Sequence, residues 1–194
     1  MNKTFVLPAA VLLLILTGCL QIPLGLVPDE ALPESPPGRK NGVLTFSVEQ
    51  VTDGPFISPD GIATHDVLVR QIREQLTKQG AFQQVEYTTF ARRGDLHVHF
   101  IAHYSTVFRR EPVMILACFG IPFLIPSSLD MTALVYKKEK LLYSPAVSEG
   151  MHNYVWLVFL PAAAVWNSWW AWTTQEKKCI RVLIARIRKK LIFQ

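Results

Sequence analysis

Asp95-Leu96-His97-Val98-His99-Phe100-Ile101-Ala102-His103-Tyr104-Ser105-Thr106 is the stretch that decides the fold class. Successive side chains of an extended chain alternate, so Leu96, Val98, Phe100 and Ala102 share one side and His97, His99 and His103 the other. This predicts a strand with one face on a core. Toward the N-terminus, residues 82–89 read as another strand, as do residues 43–51, where Leu44, Phe46 and Val48 alternate with Thr45, Ser47 and Glu49. Between these two, Leu68, Ile72 and Leu76 recur at helical spacing; Thr64 or Asp66 can cap the start, and Gly80 supplies the left-handed stop after about Gln79. Toward the C-terminus, residues 131–136 and 141–148 flank Lys137-Lys138-Glu139-Lys140 and predict a hairpin. A last helix opens on Thr173-Thr174-Gln175-Glu176, a capping-box pattern, and lines up Ile180, Leu183, Ile184, Ile187 and Leu191 as its packing stripe. Arg181, Arg188, Lys189 and Lys190 form its basic side. The expectation is an α+β domain with a small, mainly antiparallel sheet of about five strands covered by two helices.

Two apolar segments interrupt this pattern, residues 113–125 and 154–166, each a run of 13 residues without a charge. A helix of that length covers roughly 20 Å, short of the roughly 30 Å hydrocarbon core of a bilayer. With their flanks, near 113–129 and 154–172, they are expected as short helical inserts. If the three strands around them are antiparallel neighbours, both leave from one edge of the sheet. There they can form a wedge entering one leaflet. Its contact residues would be Phe119, Phe123, Trp156, Phe159, Trp166, Trp169, Trp170 and Trp172, with Arg109, Arg110, Lys177 and Lys178 against lipid phosphates. Two alternatives stand beside the wedge: both segments buried as core helices, or the second spanning the membrane.

The N-terminus gives an address. Lys3 precedes an apolar run, residues 5–16, which ends in Leu16-Thr17-Gly18-Cys19. That tetrapeptide resembles the lipobox of bacterial lipoproteins. The resemblance implies a signal peptide over residues 1–18, cleavage between Gly18 and Cys19, and a Cys19 carrying several acyl chains, palmitate among them, as a stable anchor. Leu20, where Asp would favour retention in the inner membrane, implies sorting to the outer membrane. Residues 19–42, with Pro23, Pro28, Pro33, Pro36 and Pro37, read as a tether that reaches roughly 60 Å if extended as polyproline II, and residues 43–194 as a single domain.

Beyond the lipobox, Gln75-Leu76-Thr77-Lys78-Gln79-Gly80-Ala81-Phe82, Phe119-Gly120-Ile121-Pro122-Phe123 and Trp156-Leu157-Val158-Phe159-Leu160-Pro161 resemble a group of uncharacterised Gram-negative envelope lipoproteins. The chain departs from that pattern at the hairpin, where Lys138 and Glu139 replace the usual glycine turn. The strand-helix-strand-strand opening looks like the small α+β domains of lipoproteins that assist envelope assembly or export. This implies a periplasm-facing chain with a binding role and membrane lipid as partner through the acylated Cys19; a membrane protein docking on the inserts is the alternative.

Signals for chemistry are sparse. The formal charge of +5 falls by one when Lys3 leaves with the leader, a mildly basic balance. An exported chain has little access to nucleic acid, so none is expected as partner. Cys118 and Cys179 have no spacing signature and read as free thiols. No phosphate-cradling glycine loop, paired-cysteine motif or acidic metal cluster occurs, and no cofactor or small-molecule substrate is expected. His97 and His99, about 6.6 Å apart along one strand face, are the weak candidates for a metal; His103 lies roughly 13 Å beyond His99. His65-Asp66 reads as a helix start rather than a catalytic dyad, because Ser58 has no nucleophile motif around it. No catalytic residue is assigned. The reading is a non-enzymatic structural or accessory envelope protein. Its alternatives are a subunit of an export or assembly complex, and a metal-binding or hydrolytic enzyme centred on the histidine strand.

Overall fold

Alternating apolar residues and two amphipathic helices produce one mixed sheet with both helices on the same face. The computed structural model describes residues 18–25, 41–53, 65–78, 82–89, 96–106, 123–156 and 168–192. In chain order the elements are β1 (Gly18–Pro23), β2 (Asn41–Asp53), α1 (His65–Lys78), β3 (Phe82–Tyr87), β4 (Leu96–Thr106), β5 (Phe123–Lys137), β6 (Lys140–Tyr143), β7 (Ala146–Trp156) and α2 (Ser168–Ile192). The strands form one seven-stranded sheet curled into a half-barrel, in the order β1-β7-β5-β4-β2-β3, with β6 on β5.

The core lies between the sheet and the helices. Leu44, Phe46 and Val48 of β2, Val98, Phe100, Ala102 and Tyr104 of β4, and Leu129, Met131, Ala133 and Val135 of β5 are buried on one face. Against them pack Leu68, Ile72 and Leu76 of α1 and Ile180, Leu183, Ile184 and Ile187 of α2, the stripes expected from their spacing. α1 lies on β2 and β3, α2 on β1, β5 and β7, and the helices touch each other.

The sheet is larger than expected, and it is mixed. β2 is parallel to both β3 and β4. A strand-helix-strand crossover returns the chain to the end of the sheet where β2 began, so β3 runs the same way as β2. β4, β5 and β7 are antiparallel neighbours, and the expected strand 141–148 is divided between β6 and the start of β7.

Three further expectations are corrected. The proline-rich tether begins instead with a strand: β1 pairs along β7 from Gly18↔Trp156 to Pro23↔Met151. β1 is an edge strand, where proline is tolerated because one side of the backbone needs no ladder partner. Gly25 then carries a φ of +67°, in the left-handed region that glycine adopts without strain. The inserts are also shorter than drawn, since residues 123–129 belong to β5, 154–156 to β7 and 168–172 to α2. Finally, α2 starts at Ser168, so Thr173 and Glu176 lie inside the helix and form no capping box; Glu176 is buried in the core. Arg188, assigned to the basic side, is buried as well.

Candidate functional site

Two places collect the residues singled out by the sequence. The first is the end of the sheet where β4 stops, β5 starts and β7 stops. Cys19 stands opposite Val155 in the β1–β7 ladder, and Phe123 stands opposite the same Val155 in the β5–β7 ladder. Trp156, opposite Gly18, closes β7. One apolar segment joins Thr106 to Phe123 and the other joins Trp156 to Ser168, so both connect at this end. Trp169, Trp170 and Trp172 enter through the first turns of α2. Residues 1–17, Arg109, Arg110, Cys118, Phe119, Phe159 and Trp166 lie outside the described residues. Lys177 is exposed on α2. Together with the dominant Lys78, it helps hold the carboxyl of Glu74 on α1 below its ordinary value. Lys178 is partly buried. Among the described residues no helix is long and apolar enough to cross a membrane.

The second place is the sheet face away from the helices, where β2 and β4 run parallel in register from Leu44↔Leu96 to Asp53↔Ser105. The alternation that buries Val98 and Phe100 puts His97, His99 and His103 of β4 beside Thr45, Ser47, Glu49 and Asp53 of β2. Thr45 Oγ1 lies 3.3 Å from the Leu96 carbonyl and 2.9 Å from His97 Nδ1. Ser47 Oγ lies 3.0 Å from His97 Nε2 and 2.8 Å from His99 Nδ1. His99 Nε2 then meets Glu49 Oε2 at 3.2 Å, and farther along the strands His103 Nε2 meets Asp53 Oδ2 at 2.6 Å. His97 is 2% exposed and Ser47 6% exposed, and the Tyr136 ring of β5 lies tilted 6.4 Å from the His97 ring. The imidazoles thus lace the two strands together. Both ring nitrogens of His97 and of His99 are engaged by hydroxyl or carboxylate partners, which leaves neither lone pair directed at a shared ion. Among the described residues no three His, Cys, Asp or Glu side chains converge as metal ligands.

β3 ends at Tyr87, opposite Phe46, and Thr88 N–H donates to the Phe46 carbonyl at 2.8 Å. Beyond that point opens a cleft of about 420 Å³ lined by Ser47, Val48, His65, Tyr87, Thr88, Thr89 and His99. His65, at the first residue of α1, donates from Nε2 to the Val48 carbonyl at 3.2 Å, while its Nδ1 is 4.0 Å from Asp66. It therefore ties the helix start to β2 beyond the last β2–β3 register pair. The sequence signal for this lacing was the shared parity of the histidines; the serine and acid partners on β2 were missed, because the parallel pairing that brings them alongside was not foreseen.

On the helix side, the Tyr104 hydroxyl donates to Glu176 Oε1 at 2.8 Å. Burial first, and then the Glu176 charge, push the Tyr104 phenol far above its ordinary value. Cys179, a free and buried thiol, is pushed up to about 12 by burial, with the nearby Glu149 acting in the same direction. Such a thiol is packing material rather than a nucleophile.

No protein-family model and no curated protein matches the chain. Solved structures align with the chain at low identity. A neuraminyllactose-binding hemagglutinin homolog from Helicobacter pylori aligns at 12% identity and a TM-score of 0.47, over 82% of this chain and 87% of that one. A protein from Xanthomonas campestris aligns at 12% identity and a TM-score of 0.40, over 86% and 94%. A lipoprotein from Neisseria meningitidis aligns at 12% identity and a TM-score of 0.35, over 56% and 82%.

Proposed function

We propose that this chain is a lipid-anchored, periplasm-facing lipoprotein of the Gram-negative envelope, with a non-catalytic structural or accessory role. The observation that carries the reading is the position of Cys19, which flanks Val155 of β7 on one side as Phe123 of β5 does on the other. Cleavage before Cys19 removes only the first residue of β1. The acyl chains then grow from the sheet itself, at the end where both apolar segments connect, and hold that end against the bilayer. Phe119, Phe123, Trp156, Phe159, Trp166, Trp169, Trp170 and Trp172 are its lipid contacts, with Arg109, Arg110, Lys177 and Lys178 for the phosphates. Apolar surface at that depth adds to what the acyl chains provide. Leu20 favours the outer membrane.

Mass spectrometry of the protein purified from native envelopes tests the anchor: a mature N-terminus at acylated Cys19 is expected, and an intact leader with an unmodified thiol overturns the reading. A Cys19→Ala variant tests the apolar segments. It is expected to stay detergent-dependent through them, and a freely soluble variant would assign them to the core instead.

A further inference from the structure

The sheet face away from the helices changes character along the strands. In the β1–β7 and β5–β7 ladders, Leu20, Tyr154 and Leu124 share the first row next to Cys19, and Ile22, His152 and Pro126 share the second. Gly150 and Ser128 form a third, which Leu24 joins by donating its N–H to the Gly150 carbonyl at 2.8 Å. These rows alternate with those of the buried Met151 and of the buried Leu129 and Glu149, so they belong to the outer face. Ile22, Leu24 and Leu124 are 44%, 43% and 45% exposed, and Pro126 is exposed beside them. None of the three rows contains Asp, Glu, Lys or Arg. The fourth row brings Asp130 and Ser148, and Asp130 has His103 as its β4 partner, where the polar lacing of β2 and β4 begins. Among the described residues the other exposed large hydrophobics, Val43 and Leu141, lie at the opposite end of the sheet, Leu141 next to Lys140.

We propose that these three rows are a lipid-contact band, so that the protein meets the bilayer with Ile22, Leu24, Leu124 and Pro126 of the outer sheet face as well as with the end of the sheet. The proposal rests on the reading of Cys19 as the acylated first residue of the mature chain. Cys19 lies inside β1, which leaves no linker between anchor and sheet. At about 3.3 Å per residue, Ile22 is roughly 10 Å and Leu24 roughly 17 Å along the strand from the acylated residue. A strand tilt of about 40°, usual in strongly curled sheets, reduces these heights to roughly 8 and 13 Å. The polar layer on each side of the hydrocarbon core is roughly 5–8 Å thick. Leu124, in the row of Leu20, therefore falls within that layer, Ile22 reaches its outer boundary and Leu24 lies at the rim of the contact. The charge-free rows end where the water begins.

A second copy of the chain fits this surface less well. Three rows across three strands cover roughly 200 Å², against about 800 Å² per partner in a stable protein interface. Lipid needs no matching area or shape, only apolar side chains at the right depth.

Photo-cross-linking tests the band directly. A benzophenone amino acid replaces Leu124, Ile22 or Leu141, one at a time, in the full-length acylated protein. All three positions are exposed, so the probe displaces no core contact. Each protein is reconstituted into vesicles of phosphatidylethanolamine and phosphatidylglycerol, acylation of Cys19 is checked by mass spectrometry, and the samples are irradiated. Phospholipid adducts are expected at Leu124 and Ile22 in about tenfold higher yield than at Leu141. Equal, low lipid yields at all three positions in vesicle-bound, acylated protein overturn the band and leave the anchor standing. Adducts at Leu124 and Ile22 to a second copy, or to residues 107–122 or 157–167 of the same chain, overturn it as well, by naming a different cover. An unmodified Cys19 overturns the anchor and the band together.

Discussion

Lys138 and Glu139 carry φ of 46° and 67°, both in the left-handed region, and join β5 to β6 through a two-residue turn. Such turns suit the twist of a hairpin, but they favour Asn-Gly because a Cβ is crowded there. The double change Lys138→Asn and Glu139→Gly is therefore expected to stabilise the fold by about 1 kcal/mol, read as a higher urea midpoint with an unchanged slope. Tyr104 makes the opposite point. Its hydroxyl is the donor to a Glu176 carboxylate that is 0% exposed, so Tyr104→Phe should cost about 2 kcal/mol in the same assay. Cys179 sets an alkaline limit. Its thiol ionises at about 9 when unfolded and at about 12 in the fold, so rising pH deprotonates the unfolded chain first. Stability from this residue is intact below about 9 and drains away toward about 12. Cys179→Ala should flatten that alkaline loss in denaturation curves, and alkylation of the native thiol at mild pH should be slow.

The elements differ in how plainly the sequence announces them. Leu68, Ile72 and Leu76 are buried at helical spacing, and Leu96 through Tyr104 alternate as a strand must, because one face of each element packs and the other does not. Pairing partners are another matter. In β1 only Leu20, Gln21 and Ile22 alternate, too short a run to announce a strand, and it is an edge strand paired along β7. Its Pro23 suits a tether and an edge strand alike. Glu176 sat in a sound capping pattern, yet Ser168 to Trp172 extend the helix and the acid turns inward to Tyr104. The site shows the same division: histidine parity could be read on β4, while Ser47 and Glu49 came into play only through the parallel register with β2. Packing of α2 can be tested directly. Leu183 is completely buried between α2 and the sheet, so Leu183→Ala should cost about 2–5 kcal/mol, measured by thermal or urea unfolding.

At the scale of the whole molecule the distribution of one residue type gives a usable probe. All five tryptophans lie between residues 156 and 172, and three of them fall in the first turns of α2. Intrinsic tryptophan fluorescence therefore reports on this short stretch, whose described part, Trp156 and the first turns of α2, lies toward the end that carries Cys19. Aromatic rings of this kind settle at the headgroup level when a protein enters one leaflet. If the acylated protein lies with that end on the bilayer, reconstitution into vesicles should blue-shift its emission, and lipids brominated high on the acyl chain should quench it more than lipids brominated near the chain end. A core placement of the apolar segments predicts emission that is already blue in micelles and indifferent to bromine position. Docking on a membrane protein predicts no quenching in pure lipid, with a shift only when envelope extract is added. Deleting residues 107–122 while keeping Cys19 then asks whether the two segments form one contact surface. Loss of quenching without loss of vesicle binding would mean that the acyl chains hold the protein and the paired segments set its orientation.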